Sequence, residues 1–115
     1  MRLSGSTVVL FTRFGLGQAP ADLQQKMAGI FLSLLGESDA LPGELLFYTD
    51  GVRLVCEGSP VLEQLRALEA KGVELIVCST CLNYFGLTDK VQVGIVGGMP
   101  AILEALARAE KVVSV

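Results

Sequence analysis

Short apolar runs alternate along this chain with longer segments in which apolar residues recur every three or four positions. The short runs are rich in β-branched residues, which makes them candidates for strands. They cover residues 7–11, 45–48, 73–77, 91–96 and 111–115. Because most of these runs are continuously apolar, they are typical of a parallel sheet covered on both faces by helices. The pattern predicts an α/β fold, a three-layer α/β/α sandwich with a mostly parallel five-stranded sheet.

The longer segments predict the helices between the strands. The first begins near Pro20 and ends near Gly36, and six of its apolar residues share one face: Leu23, Met27, Ile30, Phe31, Leu34 and Leu35. The second begins at Ser59 and Pro60 and ends at Lys71 and Gly72. Its predicted buried face consists of Val61, Leu62, Leu65 and Leu68. The last helix covers residues 100–109, and its residues expected to point inward are Ile102, Leu103 and Leu106.

Composition limits the classes of protein that the chain can represent. With 115 residues, of which 51% are hydrophobic, it has enough apolar material for one core, and we expect residues 1–115 to form a single domain. Only 18% of the residues are charged and the formal net charge is −3, so no nucleic acid or anionic membrane is expected as a partner. No apolar segment is long enough to cross a bilayer, and no secretory leader is visible. Three cysteines do not suggest a disulfide framework, so we expect a reducing, cytoplasmic location.

The predicted topology gathers chemically interesting residues at one edge of the sheet. Right-handed crossovers bring together the loops that leave the carboxyl ends of parallel strands. These loops cover residues 12–19, 49–58, 78–86 and 97–99. They contain the glycines of Gly15-Leu16-Gly17, the Asp50-Gly51 pair and all three cysteines, Cys56, Cys78 and Cys81.

Cys78 and Cys81 are the candidate catalytic residues. They lie where the third predicted strand gives way to a segment that could form a helical turn, and a helix start lowers the pKa of a nearby thiol. The chain has no histidine, which excludes Cys–His catalysis. The alternative is that both thiols are small buried apolar groups. Cys56 is either packed in the core, which we favour, or a third reactive thiol.

Other chemical interpretations of these motifs are weaker. A thiolate metal site would need Cys56 as a third ligand, so neither a metal nor another cofactor is expected. A thioredoxin-like role fits poorly because the Cys-x-x-Cys motif follows the third strand rather than an early one. Gly15 and Gly17 indicate a tight turn more readily than a phosphate cradle, because Pro20 replaces the third glycine of the dinucleotide motif. Asp50-Gly51 is interpreted as a turn, and Ser79-Thr80 as caps for the next turn.

Three segments, residues 44–54, 57–65 and 72–87, resemble the DsrE-like domain of YedF-type proteins within the DsrE/DsrF-like family. The most specific part is Cys-x-Thr-Cys-Leu-x-Tyr-x-Gly-Leu, from Cys78 to Leu87. The resemblance implies a parallel α/β sandwich assembled as a trimer or hexamer, a sulfurtransferase-like activity and a link to selenium metabolism. YedF-type proteins usually also carry a TusA-like domain with a Cys-Pro motif, which this sequence lacks. Sulfur-relay members often have arginine where this chain has Phe85.

The leading functional hypothesis is therefore a sulfur-handling protein in which Cys78 or Cys81 accepts sulfane sulfur as a persulfide and transfers it. The family spacing favours Cys78, and the field of the predicted helical turn favours Cys81. The implied partners are a sulfur donor or acceptor protein, for which a TusA-like protein is one candidate, and further copies of this chain. The alternative from another class is a non-enzymatic oligomeric adaptor or redox sensor whose cysteines are structural.

Overall fold

Five strands form one sheet at the centre of the protein in a computed structural model that describes residues 3–115. The strands are β1 (Thr7–Phe11), β2 (Glu44–Phe47), β3 (Glu74–Cys78), β4 (Ile95–Gly97) and β5 (Lys111–Ser114). Their order is β4-β3-β2-β1-β5, and all four pairings between them are parallel. The predicted α/β fold is confirmed. Met1 and Arg2, the first residues of the predicted domain, lie outside the described residues.

Helices connect the strands and cover the sheet. They are α1 (Ala21–Glu37), a 3₁₀ helix (Thr49–Val55), α2 (Leu62–Ala70), α3 (Ser79–Tyr84) and α4 (Met99–Arg108). The first three connections step along the sheet in one direction, whereas the connection through α4 runs back across it to the far edge. Right-handed crossovers therefore place α1 and α2 on one face and α4 on the other. No helix among residues 3–115 has the length and apolar character required to cross a bilayer.

The core lies on both faces of the three central strands. Every residue of β1 is buried, as continuous apolar strands in a covered parallel sheet require. Phe11 on β1 and Phe47 on β2 are register partners, and their rings stack with centroids 5.1 Å apart. This close packing fixes the carboxyl ends of the two strands, from which the candidate functional loops emerge.

The face of α1 that packs on the protein differs from the face indicated by the spacing. Its buried residues are Ala28, Leu32 and Leu35. Four of the six predicted residues are instead substantially exposed: Leu23 (48%), Met27 (42%), Ile30 (46%) and Leu34 (62%). Apolar residues surround most of this helix, so periodicity alone does not determine its orientation. The small Ala28 side chain is fully buried, which allows the helix backbone to approach its neighbours closely.

The fourth strand is shorter than predicted. Val91 lies outside it and forms an isolated antiparallel bridge with Cys56, and Val93 is buried in the connecting loop. Gly94, with φ of 85°, then turns the chain into β4 while packing against Leu75. The alternation of valines and polar residues in this segment therefore comes from loop packing rather than from a strand.

The other helix predictions need smaller corrections. In α4 the buried residues are Ile102 and Ala105, and the prediction that Leu103 points inward is wrong because its side chain is 63% exposed. The second helix begins at Leu62, after a turn in which the Val61 N–H donates to Ser59 Oγ at 3.2 Å. Gly72, with φ of 95°, ends it as predicted.

Candidate thiol site

The predicted edge of the sheet brings Cys78 and Cys81 together with Thr49. Cys78 is the last residue of β3, and Cys81 lies in the first turn of α3, which begins immediately after the strand. Thr49 is the first residue of the 3₁₀ helix that follows the neighbouring strand β2. The two thiols therefore occupy the positions expected from the sequence, at the end of the third strand and at the start of a helical turn.

Thr49 has a backbone conformation that is rare for its residue type. Its φ of 50° lies in the left-handed region, which β-branched residues avoid. Its hydroxyl can donate to the carbonyl oxygen of Thr12 at 2.8 Å or of Tyr48 at 2.7 Å. In this conformation the Thr49 N–H donates to Sγ of Cys81 at 3.0 Å. Strained residues held in this way concentrate at functional sites.

The pKa of the Cys81 thiol is raised above its ordinary value. Desolvation by burial is the largest cause, and the hydrogen bond from the Thr49 N–H opposes it. The neighbouring Cys78 raises the pKa further through a side-chain hydrogen bond and through charge repulsion. A thiol in this environment is mostly protonated at neutral pH and is not the thiolate that a helix start alone would favour.

The two thiols differ in their access to solvent. The side chain of Cys78 is buried, whereas that of Cys81 is partly exposed. Cys81 opens into a cavity of about 270 Å³ whose other lining residues are Thr49, Thr80, Tyr84 and Phe85. Tyr84, at its rim, is 85% exposed. A small reactant can therefore reach Cys81, and Cys78 lies behind it in the core. A larger groove of about 600 Å³ lies between α1 and α2 and contains none of the cysteines.

Arg53 brings a positive charge to this region and is not among the site residues predicted from the sequence. Its guanidinium lies 4.3 Å from the centroid of the Phe85 ring. Its Nε also forms an ion pair of 3.2 Å with Asp50, one turn earlier in the 3₁₀ helix. This charge comes from the 3₁₀ helix and not from α3 or the segment that follows it. The signal that could have found Arg53 is the Asp-x-x-Arg spacing, which places both side chains on one side of a 3₁₀ helix.

The remaining candidates have structural explanations. Cys56 is buried, and its Sγ donates to the carbonyl oxygen of Val52 at 3.2 Å. It is packed in the core, as we favoured. This burial raises the pKa of its thiol, and the charge of Arg53 partly offsets the increase. Gly15 lies so close to Gln24 that a Cβ there would be 2.5 Å from the backbone of that residue. The Gly15-Leu16-Gly17 segment is therefore the tight turn that brings α1 against the loop. Within residues 3–115, no three side chains of the metal-binding types are grouped to hold an ion.

Fold and site together define a class: small parallel α/β proteins with a cysteine at the carboxyl edge of the sheet. The signature of the DsrE/DsrF-like family matches residues 14–115, and the chain belongs to that family. A search among curated proteins found no match.

Three solved structures share the fold at low sequence identity. A protein of unknown function from Methanobacterium thermoautotrophicum, MTH1491, is 18% identical with a TM-score of 0.65, over 95% of this chain and 98% of its own. The conserved protein BT1422 from Bacteroides thetaiotaomicron, also of unknown function, is 16% identical with a TM-score of 0.68, and the match covers 96% of this chain and 95% of that protein. The ychN protein from E. coli is 17% identical with a TM-score of 0.61, over the whole of both chains. At these identities the similarity extends to the fold alone.

Proposed function

We propose that this protein carries sulfane sulfur as a persulfide on Cys81 and delivers it to a partner protein. The proposal rests on one observation. Cys81 is the accessible thiol of the pair, and its Sγ accepts a hydrogen bond from the backbone N–H of Thr49, whose backbone conformation is strained. Membership of the DsrE/DsrF-like family, which is generally associated with sulfur relay, supports the same chemistry.

The transfer is a nucleophilic substitution at sulfur. The Cys81 thiolate attacks the terminal sulfur of a donor persulfide, the donor S–S bond breaks, and the donor leaves as a thiolate with the bonding electrons. The Thr49 N–H stabilises negative charge on Cys81 Sγ through a charge-assisted hydrogen bond. Because the pKa of Cys81 is raised, only a small fraction of the thiol is ionised at neutral pH, and uptake should become faster as the pH rises.

Cys78 is suited to a second step. Residues three apart at a helix start have Cα atoms about 5 Å apart, which is within the range of a disulfide. The Cys78 thiolate can therefore attack the inner sulfur of a Cys81 persulfide, which forms a Cys78–Cys81 disulfide and releases hydrosulfide. Its burial keeps Cys78 from meeting a partner protein directly, so the neighbouring Cys81 is its partner in this step. Cys78 is thus assigned the resolving role and Cys81 the carrying role.

The finer assignments follow the resemblance to YedF-type proteins. A TusA-like protein is the candidate donor or acceptor, selenium metabolism is the candidate pathway context, and the reducing cytoplasm is the proposed compartment. We also propose a homo-oligomer, a trimer or hexamer, in which copies of the chain cover the exposed apolar residues of α1. Leu23, Met27, Ile30 and Leu34 form this exposed face, which lies beside the groove between α1 and α2.

The proposal is tested by intact-mass measurement after incubation of the reduced protein with a persulfide-generating cysteine desulfurase and its substrate. We expect a gain of about 32 Da, one sulfur atom, in the wild type, and no gain in Cys81→Ser because that variant lacks the accepting thiol. Cys56→Ser is the matched control and retains the gain. Cys78→Ser also retains it, and its adduct persists longer because no resolving thiol is present.

A wild-type protein that stays folded and gains no mass would contradict the carrier proposal. That result would favour the oligomeric adaptor, for which the exposed apolar face of α1 is the supporting observation. A gain lost only in Cys78→Ser would exchange the roles of the two cysteines.

A further inference from the structure

Arg53 is held at two points, through its Nε and through the face of its guanidinium. Its Nε contacts Asp50 Oδ1 at 3.2 Å, and its Cζ lies 4.3 Å from the centre of the Phe85 ring. No protein acceptor within residues 3–115 is hydrogen-bonded to either Nη. The side chain is 39% exposed. A guanidinium that is fixed in position with two free NH₂ groups is well suited to bind a carboxylate through paired hydrogen bonds.

The Phe85 ring connects this group to the thiol site. Phe85 lines the cavity that contains Cys81, and its ring also meets Tyr84 in a T-shaped contact at 5.3 Å. Arg53 therefore stacks on a ring that lines the cavity, and it is not itself one of the cavity's lining residues. Consistent with this placement, the Arg53 charge lowers the pKa of Cys56 but is not among the groups that set the pKa of Cys81.

The position of Arg53 indicates which part of a reactant it can bind. Its guanidinium does not lower the pKa of Cys81. It can instead bind a negatively charged group of the reactant that lies at a distance from the sulfur atom being transferred. The surface that residues 3–115 expose to the cavity is apolar and offers no other partner for a negative charge. A sulfonate bonded directly to the sulfane sulfur, as in thiosulfate, would place its charge at Cys81 and leave Arg53 without a partner.

We propose that Arg53 binds the carboxylate of an organic persulfide whose terminal sulfur is transferred to Cys81. The inference rests on the proposed carrier function and adds a substrate class to it, the low-molecular-mass persulfides with a carboxylate remote from sulfur. In the transfer, the S–S bond of R–S–SH breaks, a new S–S bond forms to Cys81, and R–S⁻ leaves with the electron pair. No further oxidant or reductant is required.

The test compares two donors that share the same persulfide and peptide and differ in the charge and size of the carboxyl groups. The reduced protein is mixed with excess glutathione persulfide or with the persulfide of glutathione diethyl ester, and the rate of the 32 Da gain on Cys81 is followed by mass spectrometry. We expect the wild type to react severalfold faster with the acid than with the ester, up to about tenfold, since Arg53 is partly exposed and solvent weakens its hydrogen bonds to a carboxylate. Arg53→Gln should lose this preference, and should react with the ester as the wild type does.

Arg66→Gln is the matched control, because Arg66 is an exposed arginine on α2 away from the cavity, and it should keep the wild-type preference. Equal rates with both donors in the wild type would overturn the inference without any variant. A preference that survives in Arg53→Gln would overturn it as well. If the desulfurase loads Cys81 but neither small donor does, the assignment of substrate class fails while the carrier function stands. If nothing loads Cys81, both fail.

Discussion

At the residue scale, the unusual backbone conformation of Thr49 allows its N–H to donate a hydrogen bond to the Cys81 thiol. A left-handed conformation at a β-branched residue costs on the order of 1–3 kcal/mol. The hydroxyl of Thr49 offsets part of that cost by bonding to the carbonyl oxygen of Thr12 or Tyr48. The same geometry directs a backbone N–H at Cys81 Sγ, a donor that does not titrate. The sulfur therefore has a stabilising partner whose strength is independent of pH.

The raised pKa of Cys81 leads to a prediction about its reactivity. A smaller fraction of Cys81 than of a free cysteine is ionised at pH 7, so iodoacetamide should label it more slowly than a cysteine peptide, with a rate that still rises above pH 9. Cys78 contributes to the raised pKa, so Cys78→Ala should shift the pH–rate profile toward lower pH. The profile is measured by mass spectrometry of the Cys81 peptide.

Cys56→Ala provides the control for that experiment, because Cys56 is not among the groups that raise the pKa of Cys81. Its profile should coincide with that of the wild type. A Cys81 labelling rate that is already maximal at pH 7 would contradict the interpretation, since it would mean that the thiolate is the resting form.

At the element scale, the 3₁₀ helix positions the site because it packs directly against the end of β1. Gly51 makes this possible: a Cβ at that position would lie 2.0 Å from the carbonyl oxygen of Phe11. Any side chain would push the helix away from the strand. Thr49 and Arg53 belong to the same short helix, so both the hydrogen bond to Cys81 and the contact with Phe85 depend on the close approach at Gly51.

We therefore predict that Gly51→Ala destabilises the protein by more than about 2 kcal/mol, because the backbone must shift to remove the overlap. The free energy of unfolding is measured by urea denaturation. Gly5→Ala is the matched control, since nothing lies within 4 Å of a Cβ there, and it should change stability by less than about 0.5 kcal/mol. Equal effects of the two substitutions would show that the 3₁₀ helix is not held as described.

The order of strands and helices along the chain could be predicted from the sequence, because it depends on local patterns. The run at residues 7–11 is strand β1 without correction, and Gly72 ends α2 as its sequence context indicates. The two cysteines of the site could also be placed, since the carboxyl ends of parallel strands share an edge.

Features that depend on tertiary contacts could not be predicted. The sequence pattern predicts a loop over residues 49–58. In the structure, the first seven of these residues instead form the 3₁₀ helix that contains Thr49 and Arg53. The direction of the Thr49 N–H is fixed by hydrogen bonds to residues far away in sequence, which no local pattern reveals. The orientation of α1 is similarly decided by packing, because its apolar residues would allow several orientations.

At the scale of the whole molecule, the exposed face of α1 predicts self-association. Leu34→Lys places a charge in that face and should lower the molar mass measured by light scattering after size-exclusion chromatography. Leu103→Lys is the matched control, because Leu103 on α4 is 63% exposed and Leu34 is 62% exposed. Copies that associate through α1 should tolerate a lysine at position 103.

A wild-type protein that is monomeric would contradict the proposed oligomer. If the molar mass falls only in Leu103→Lys, the contact between copies would instead be assigned to the region of α4 and β4, where Ile95, Val96 and Met99 are also exposed.

The order of strands also has a consequence for synthesis on the ribosome. Strand β1 is made first, yet one of its two neighbours, β5, is made last, and Thr7 pairs with Lys111 across most of the chain. Until β5 emerges, β1 is the edge of a four-stranded sheet, with a fully buried apolar sequence and unpaired backbone groups. A nascent chain that stalls before residue 111 therefore presents a surface that can pair with other chains. A ribosomal pause just before residue 111 would thus be more harmful to this protein than a pause before β1 is complete.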